Sequence, residues 1–184
     1  MAITTTKTVT YEEWLEMPET TDGIEEVVNG EIRLMPPAKR KHSLIVHRLD
    51  VAFGRQLDDD MVDIPCGSFG VVISRDPLTC RNPDLAVFIR ERMLEKDGYY
   101  HSPPELAIEV LSPSNTRADM EEKLRDYEKL GVPEVWIFSP EARTAEVLQL
   151  REGKLHRVAI VAEGELRPLH FPTVSIDLAR VWPK

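Results

Sequence analysis

A run of six residues, 106–111, constrains the fold of this 184-residue chain most strongly. Its sequence is Leu-Ala-Ile-Glu-Val-Leu, so apolar side chains point to both faces of any strand that it forms. A short run of this kind is typical of a strand buried inside a sheet. Residues 70–73 and 85–89 form two further short apolar runs and predict neighbouring strands. Such a sheet has to be covered on both sides.

Helices and turns are predicted before and after these strands. The period of apolar residues predicts one helix over residues 39–57, and a second over residues 117–130 that ends at Gly131. Asn29-Gly30 predicts a tight hairpin turn. The other predicted elements are a capped helix starting at Thr10, hairpin strands at 24–28 and 32–35, and C-terminal strands at 135–138, 145–150, 155–161 and 166–170. We therefore predict an α/β fold with a mixed sheet, a helix on each side and a C-terminal antiparallel meander.

The charge of the chain limits where a nucleic acid can bind. There are 32 acidic and 23 basic residues, and the resulting formal net charge of −9 repels phosphate backbones. A nucleic-acid site is therefore expected only at a local basic patch, for which Lys39, Arg40, Lys41 and His42 are the candidate phosphate contacts. The solvated start of a helix is an equally good interpretation of these four residues.

The length predicts one domain over residues 1–184, since a domain takes about 150 residues. No apolar run reaches the ~18 residues of a membrane helix, and the first residues lack the basic and apolar segments of a signal peptide. Cys66 and Cys80 are too few for a disulfide framework or a zinc cluster. We expect a soluble cytoplasmic protein that contacts no membrane.

Several chemistries are disfavoured by missing or incomplete motifs. The sequence has no glycine-rich phosphate loop that ends in Gly-Lys-Ser or Gly-Lys-Thr. Ser68 lacks the first glycine of a nucleophile elbow, which favours a plain turn residue. His42 and His47 are five residues apart, the wrong spacing for two zinc ligands on one helical face.

Glu109 carries the strongest functional signal because it interrupts the apolar run 106–111. Carboxylates are rarely buried unless they are paired or bind a cation, so an ion pair with an arginine, or a position near the sheet edge, is an equal interpretation. Asp84 opens the run 85–89, where a turn residue at the start of a strand is the simpler interpretation. Two carboxylates at the ends of adjacent strands can, however, hold one magnesium ion, which prefers hard oxygen ligands.

Lys123 lies in the helix that follows Glu109. At 100° per residue its side chain falls on the margin of the apolar stripe of that helix, next to Tyr127. Its ammonium can therefore turn toward the strand ends. A salt bridge to Asp119, or packing of the aliphatic stem, is the simpler interpretation of an isolated lysine.

Several short segments occur together in one order along the chain. They are Glu26-Val27-Val28-Asn29-Gly30-Glu31, Met35-Pro36-Pro37, His42 before a helix, Asn82-Pro83-Asp84-Leu85, Glu109-Val110-Leu111-Ser112-Pro113-Ser114, Lys123 to Tyr127, and Gly131-Val132-Pro133-Glu134-Val135-Trp136. In this order they resemble the Uma-type (Uma-two) family of restriction endonucleases, within the PD-(D/E)XK nuclease superfamily. The resemblance covers nearly the whole chain and implies a restriction-endonuclease-like mixed sheet flanked by helices.

The resemblance also implies a magnesium site, with manganese as a substitute ion. It makes Asp84 and Glu109 the two metal-binding carboxylates and adds the backbone carbonyl of Val110 as a ligand. Glu26 is expected to face this site from the hairpin. The implied substrate is DNA, and the implied assembly is a homodimer.

One position departs from the superfamily pattern. Two residues after Glu109 the pattern has a lysine, whereas this chain has Leu111. The resemblance assigns the role of that lysine to Lys123 in the following helix. This role is to orient the attacking water and to offset the charge that develops on the phosphate.

The leading hypothesis is thus a magnesium-dependent endonuclease that hydrolyses phosphodiester bonds of DNA. Two alternatives stay open. One is a catalytically inactive nucleic-acid-binding module that keeps the nuclease fold, and the other is an interaction protein that dimerises through its meander. The acidic net charge favours the alternatives. The joint presence of Glu26, Asp84, Glu109 and Lys123 favours the enzyme, because a site without chemistry has no reason to bury charge.

Overall fold

The computed structural model describes residues 8–18, 24–113 and 116–183. Its helices are α1 (Tyr11–Leu15), α2 (Arg40–Gly54), α3 (Arg117–Leu130) and α4 (Leu178–Val181). Its strands are β1 (Ile24–Val28), β2 (Glu31–Met35), β3 (Val62–Asp63), β4 (Val71–Arg75), β5 (Leu78–Arg81), β6 (Leu85–Ile89), β7 (Glu95–Lys96), β8 (Tyr99–Tyr100), β9 (Leu106–Val110), β10 (Glu134–Ser139), β11 (Thr144–Arg151), β12 (Lys154–Val161), β13 (Glu165–Leu166) and β14 (Ile176–Asp177). The N-terminal residues examined for a signal peptide, and Ser114 of the family-like segments, lie outside the described residues.

Local sequence signals explain where the first elements begin and end. The hydroxyl of Thr10 accepts a hydrogen bond from the backbone N–H of Glu13, whose carboxylate accepts one from the N–H of Thr10, so the predicted capping box starts α1. Asn29 and Gly30 have φ values of 52° and 81°, the left-handed geometry of a two-residue hairpin turn. The predicted hairpin of β1 and β2 is confirmed.

The strands form two six-stranded sheets rather than the one sheet that the sequence predicted. The hairpin sheet has the order β2-β1-β5-β4-β8-β7, and the central sheet has the order β12-β11-β10-β9-β6-β3. The hairpin sheet was missed because it depends on β5, which the sequence did not predict. All four residues of β5 are buried, including Thr79 and Arg81, so the strand lacks the alternation of polar and apolar residues that marks a half-exposed strand.

The central sheet is covered on both faces, as predicted. Leu106, Ile108 and Val110 of β9 share an apolar core with the buried face of α2. Ala107, between them, points the other way and packs in a second core that includes Tyr127 of α3. The strand β9 therefore lies between two helices, which explains its apolar sequence. No helix in the described part of the chain has both the length and the apolar character that crossing a bilayer requires.

The C-terminal meander is confirmed for its first three strands. Strand β10 pairs antiparallel with β11, and β11 pairs antiparallel with β12. On its other side, β10 pairs parallel with β9. The predicted fourth strand over residues 166–170 is wrong. Only β13 forms there, and it pairs with β14 in a separate two-stranded sheet. Pro168 explains this correction, because proline has no N–H to donate to a neighbouring strand.

The pairing of β6 with β9 brings the two candidate metal ligands together. These strands are antiparallel, with Leu85 opposite Ile108, so the next pair in the same register is Asp84 and Glu109. The backbone N–H of Asp84 donates to the carbonyl of Ile108 at 3.0 Å. Because β6 begins and β9 ends at this edge of the sheet, both carboxylates lie beside the start of α2.

Candidate functional site

A cleft of about 170 Å³ opens at this edge of the central sheet. It brings together residues from the hairpin, the start of α2, the ends of β6 and β9, and α3. Its lining includes all four predicted catalytic residues and the predicted carbonyl ligand, namely Glu26, Asp84, Glu109, Lys123 and Val110. The cleft is also lined by Lys39, His42, Asn82, Ser112 and Pro113.

Asp84 is held at the cleft by two contacts. Its Oδ2 atom accepts a hydrogen bond from the backbone N–H of Val110 at 2.6 Å. The same oxygen lies 3.1 Å from Nε2 of His42. One oxygen of Asp84 is therefore fixed by the protein, and 20% of the side chain stays exposed to the cleft.

Glu109 is a buried carboxylate with two protein partners. The hydroxyl of Tyr127 donates to its Oε1 atom at 2.5 Å, and the ammonium of Lys123 lies 2.9 Å from the same oxygen. Burial, together with the charges of Asp84 and Glu26, raises the pKa of Glu109 to about 7 against the opposing effects of Lys123 and of the Tyr127 hydrogen bond. Glu109 therefore changes its charge near neutral pH in the metal-free protein.

Lys123 turns inward from α3 and links three elements. Besides Glu109, its ammonium contacts Oε1 of Glu26 at 2.9 Å and the backbone carbonyl of Asn82 at 2.8 Å. Burial opposes its charge, but Glu109 and Glu26 outweigh burial and raise its pKa. The alternative salt bridge to Asp119 does not form, because Asp119 caps the start of α3. Lys123 is therefore a charged group at the floor of the cleft.

Leu111 stands where the superfamily pattern has lysine. It is half-buried and packs with Tyr127 and other apolar residues in the core under α3. The position after β9 thus contributes an apolar contact, and the buried positive charge beside Glu109 comes from Lys123 on the helix.

Arg81 is the residue of this region that the sequence did not identify. Its guanidinium is 3% exposed and contacts Glu26 at 3.0 Å, Asp126 at 2.7 Å and Glu122 at 3.2 Å. Burial raises the pKa of Glu26, but Lys123 and Arg81 outweigh it and lower that pKa, so Glu26 is a carboxylate. The only local signal for Arg81 was a charged residue two positions before Pro83. Its three partners come from distant parts of the chain, which no short pattern reveals.

The candidate phosphate contacts divide into two groups. His42 is turned inward to Asp84, and Lys39 lines the cleft. Burial opposes a charge on His42, but the hydrogen bond and the charge of Asp84 raise its pKa. Arg40 and Lys41 are exposed, and Lys41 lies 3.2 Å from Glu141. The contacts of all four with phosphate stay a prediction.

The donor atoms at the cleft are suited to magnesium. In the described parts of the chain, no three or more His, Cys, Asp or Glu side chains group together as an all-protein metal site. Magnesium does not require one, because one or two carboxylates commonly hold it together with waters and substrate phosphates. The carboxylates of Asp84 and Glu109 line the cleft, and Val110 lies beside them. These hard oxygen donors fit the ion that the fold family implies.

Known proteins match this chain in both sequence and fold. The model of the Uma2 family, described as "Putative restriction endonuclease", matches residues 11–179. A crystal structure from Anabaena variabilis ATCC 29413, titled as a putative nuclease belonging to DUF820, superposes with a TM-score of 0.76. The two chains are 20% identical, and the match covers 95% of this chain and 97% of the other. No curated protein matches the sequence.

These matches confirm the family and the fold class that the sequence predicted. The family match runs from the first residue of α1 to the middle of α4, so it includes every residue of the cleft. The structural match shows that the two chains share a mixed α/β fold over nearly their full length. The chain belongs to the Uma2 family of restriction-endonuclease-like proteins.

Proposed function

We propose that this protein is a magnesium-dependent endonuclease that hydrolyses phosphodiester bonds of DNA, with Mn²⁺ as a substitute ion. One observation carries the proposal: Asp84 lies opposite Glu109 where the register of β6 and β9 continues past Leu85, and the buried ammonium of Lys123 lies 2.9 Å from Glu109. Two carboxylates beside one fixed positive charge are the groups that metal-assisted phosphodiester hydrolysis requires.

Asp84, Glu109 and the carbonyl of Val110 would hold the metal ion. When bound, such an ion polarises the phosphodiester and lowers the pKa of a bound water. The hydrogen bond from the Val110 N–H and the contact with His42 orient Asp84. The Tyr127 hydroxyl orients Glu109 in the same way. Such supporting contacts keep the ligands in position before the ion arrives.

Lys123 supplies the positive charge that offsets the charge developing on the phosphate. Its position is fixed by Glu26 and by the carbonyl of Asn82. Arg81 in turn holds Glu26, so it acts as a positioning residue rather than a catalytic one. The side chain that replaces the strand lysine is therefore supported by a buried network of ion pairs.

The competing proposal is a catalytically inactive protein that keeps the fold and binds nucleic acid or another protein. Leu111 is the observation that favours it, because a lysine is missing from the strand. The two proposals differ in one respect that can be measured. Only the enzyme loses activity when the charge at Lys123 or Asp84 is removed.

Cleavage of supercoiled plasmid tests the function directly. We expect nicked and linear products with Mg²⁺ or Mn²⁺, no products with EDTA, and no products from Asp84→Ala. Single-stranded RNA in a parallel reaction separates a deoxyribonuclease from a ribonuclease. Folded parent protein that cleaves neither substrate with either ion would support the inactive alternative.

Three broader expectations from the sequence are part of the same proposal. We propose one nuclease domain over residues 1–184, a homodimer and a cytoplasmic location. A homodimer is compatible with β12, which lies at the edge of the central sheet and carries exposed Val158 and Ile160. Sedimentation equilibrium at two protein concentrations measures the assembly state.

A further inference from the structure

The outer face of α2 carries a row of basic side chains. At 100° per residue, Arg40, His47, Arg48 and Arg55 fall within a sector of about 100°, opposite the buried residues of the helix. The only acidic residue of α2, Asp50, lies outside this sector. We call these four residues the α2 basic row. A single-sign row is unusual for a chain with a net charge of −9.

The second half of the row forms one wall of a groove of about 340 Å³. The opposite wall is the C-terminal segment from Ser175 to Val181. The guanidinium of Arg48 donates to the carbonyls of Val181 and Trp182 at 3.3 and 2.8 Å, which fixes its charge at the groove without neutralising it. Arg180 also lines the groove and lies 3.3 Å from Asp177.

Two members of the row have charges without a carboxylate partner among the described residues. Arg40 and Arg55 are exposed and form no side-chain ion pair within residues 8–18, 24–113 and 116–183. Lys41, at the margin of the row, is different because Glu141 lies 3.2 Å from it. The row therefore offers guanidinium groups for an external anion.

The position and length of the row indicate which anion it fits. Arg40 follows Lys39, which lines the cleft, so the row begins at the candidate active site. Arg55 is 15 residues after Arg40, a separation of about 22 Å along the helix axis. A DNA duplex carries one negative charge per ~1.7 Å of its axis, so a row of this length lies in the field of about 13 phosphates of a duplex aligned with it.

We propose that the α2 basic row binds the phosphate backbone of duplex DNA next to the cleft, an inference that rests on the proposed function. The row adds no sequence readout, since phosphate contacts position a duplex without reading its bases. It supplies the affinity that an otherwise acidic surface lacks.

Binding of a 30-base-pair duplex in EDTA, followed by fluorescence anisotropy from 50 to 200 mM NaCl, tests this surface apart from cleavage. The double variant Arg40→Gln/Arg55→Gln removes two charges that have no ion pair to break among the described residues. We expect its affinity for the duplex to fall by about tenfold or more. The negative slope of log K against log salt should become shallower by about 1.8. The matched control, Arg125→Gln/Arg151→Gln on α3 and β11, also removes two exposed charges that have no ion pair among the described residues, and it should bind within about twofold of the parent.

The inference is overturned if the double variant binds the duplex as well as the parent does, or if the parent does not bind the duplex. It is also overturned if polyglutamate, added as a competitor anion, binds the parent more tightly than the duplex does. Plasmid cleavage by the same proteins separates this inference from the proposed function. If the parent cleaves and the double variant binds DNA normally, only the role of the row fails. If the double variant loses affinity but the parent cleaves nothing with Mg²⁺ or Mn²⁺, the row is supported and the hydrolytic function fails.

Discussion

The two ends of β9 each have a buried glutamate, and the two differ in their surroundings. Glu105, just before β9, is 8% exposed, and Glu109, within it, is 4% exposed. Glu105 contacts Arg92 and His170, whose side chains are 68% and 37% exposed. Glu109 contacts Lys123 and Tyr127, which lie inside the protein, and stands beside another carboxylate, Asp84.

This difference shows that burial alone does not mark a site. An exposed cation can move away and water can replace it, so the ion pair at Glu105 contributes little beyond local structure. At Glu109 the partners are fixed, and a second carboxylate adds negative charge. Water solvates this buried charge poorly, so a bound cation would stabilise it. A bound metal ion is therefore expected to be stabilised more at the Glu109 end of β9 than at the Glu105 end.

The largest expected effect is on catalysis at the Glu109 end. Asp84→Asn or Glu109→Gln should lower the rate of plasmid cleavage by about 10³-fold or more, because losing the ion removes several kcal/mol of transition-state stabilisation. Glu105→Gln changes a carboxylate of similar burial just before the same strand and should cleave within about threefold of the parent. Equal losses in all three variants would mean that they act through stability rather than through a site.

The pH dependence of stability should separate Glu109 from an ordinary carboxyl group. Its pKa is about 7 in the folded protein, against 4.5 ordinarily, so the folded state retains a proton that the unfolded state loses in this window. Unfolding then becomes easier as pH rises from 4.5 to 7. Relative to Glu109→Gln, the parent should lose about 3 kcal/mol of unfolding free energy over this range.

Urea denaturation in EDTA at pH 4 and pH 8 measures this change. Because both proteins are compared at each pH, the contributions of other titrating groups largely cancel. A difference between parent and Glu109→Gln that stays constant with pH would contradict the raised pKa of Glu109.

Lys123 should affect the rate more than metal binding. Lys123→Ala is expected to reduce cleavage by about 10²-fold, equivalent to about 2.7 kcal/mol, while the affinity for Mg²⁺ changes little. The exposed Lys129 on the same helix is the control, and Lys129→Ala should cleave within about twofold of the parent. The double change Leu111→Lys with Lys123→Ala should restore part of the rate by returning an ammonium to the strand. Full cleavage activity in Lys123→Ala would contradict a catalytic role for Lys123 and leave it only a structural one.

The smallest effect is expected at the opposite end of β9. Arg92→Ala should lower the unfolding free energy by less than about 1 kcal/mol, since the Arg92 side chain is 68% exposed and His170 still contacts Glu105. Cleavage should be unchanged. A loss of several kcal/mol in urea denaturation would show that the two ends of β9 are more alike than their exposure indicates.

Much of the fold was predictable because its signals are local. The Asn29-Gly30 turn, the capping box at Thr10 and the glycine at 131 each depend on a few adjacent residues, and each appears where the sequence places it. Strand β5 was not predictable in this way, since burial of its polar residues depends on partners elsewhere. The predicted last strand over residues 166–170 is wrong for a local reason, because Pro168 has no N–H to donate to a neighbouring strand.

The site was predictable only in part, for a similar reason. Glu109 stood out because its neighbours are apolar, and the helical period placed Lys123 at the margin of a buried stripe. Arg81 has no such marker, because its three partners are 41 to 55 residues away in the sequence. The inward turn of His42 toward Asp84 likewise depends on how α2 packs against β6 and β9.

Calorimetric titration with Mg²⁺ at pH 7 tests the central claim, that the carboxylates at the Glu109 end of β9 hold the metal ion. The parent and Glu105→Gln should each bind one ion per chain. Repeating the titration in buffers of different ionisation enthalpy should detect proton release, because an ion favours the ionised form of Glu109. Asp84→Asn should show no such binding. A parent that binds no Mg²⁺, or an Asp84→Asn variant that binds it as well as the parent, would contradict the account.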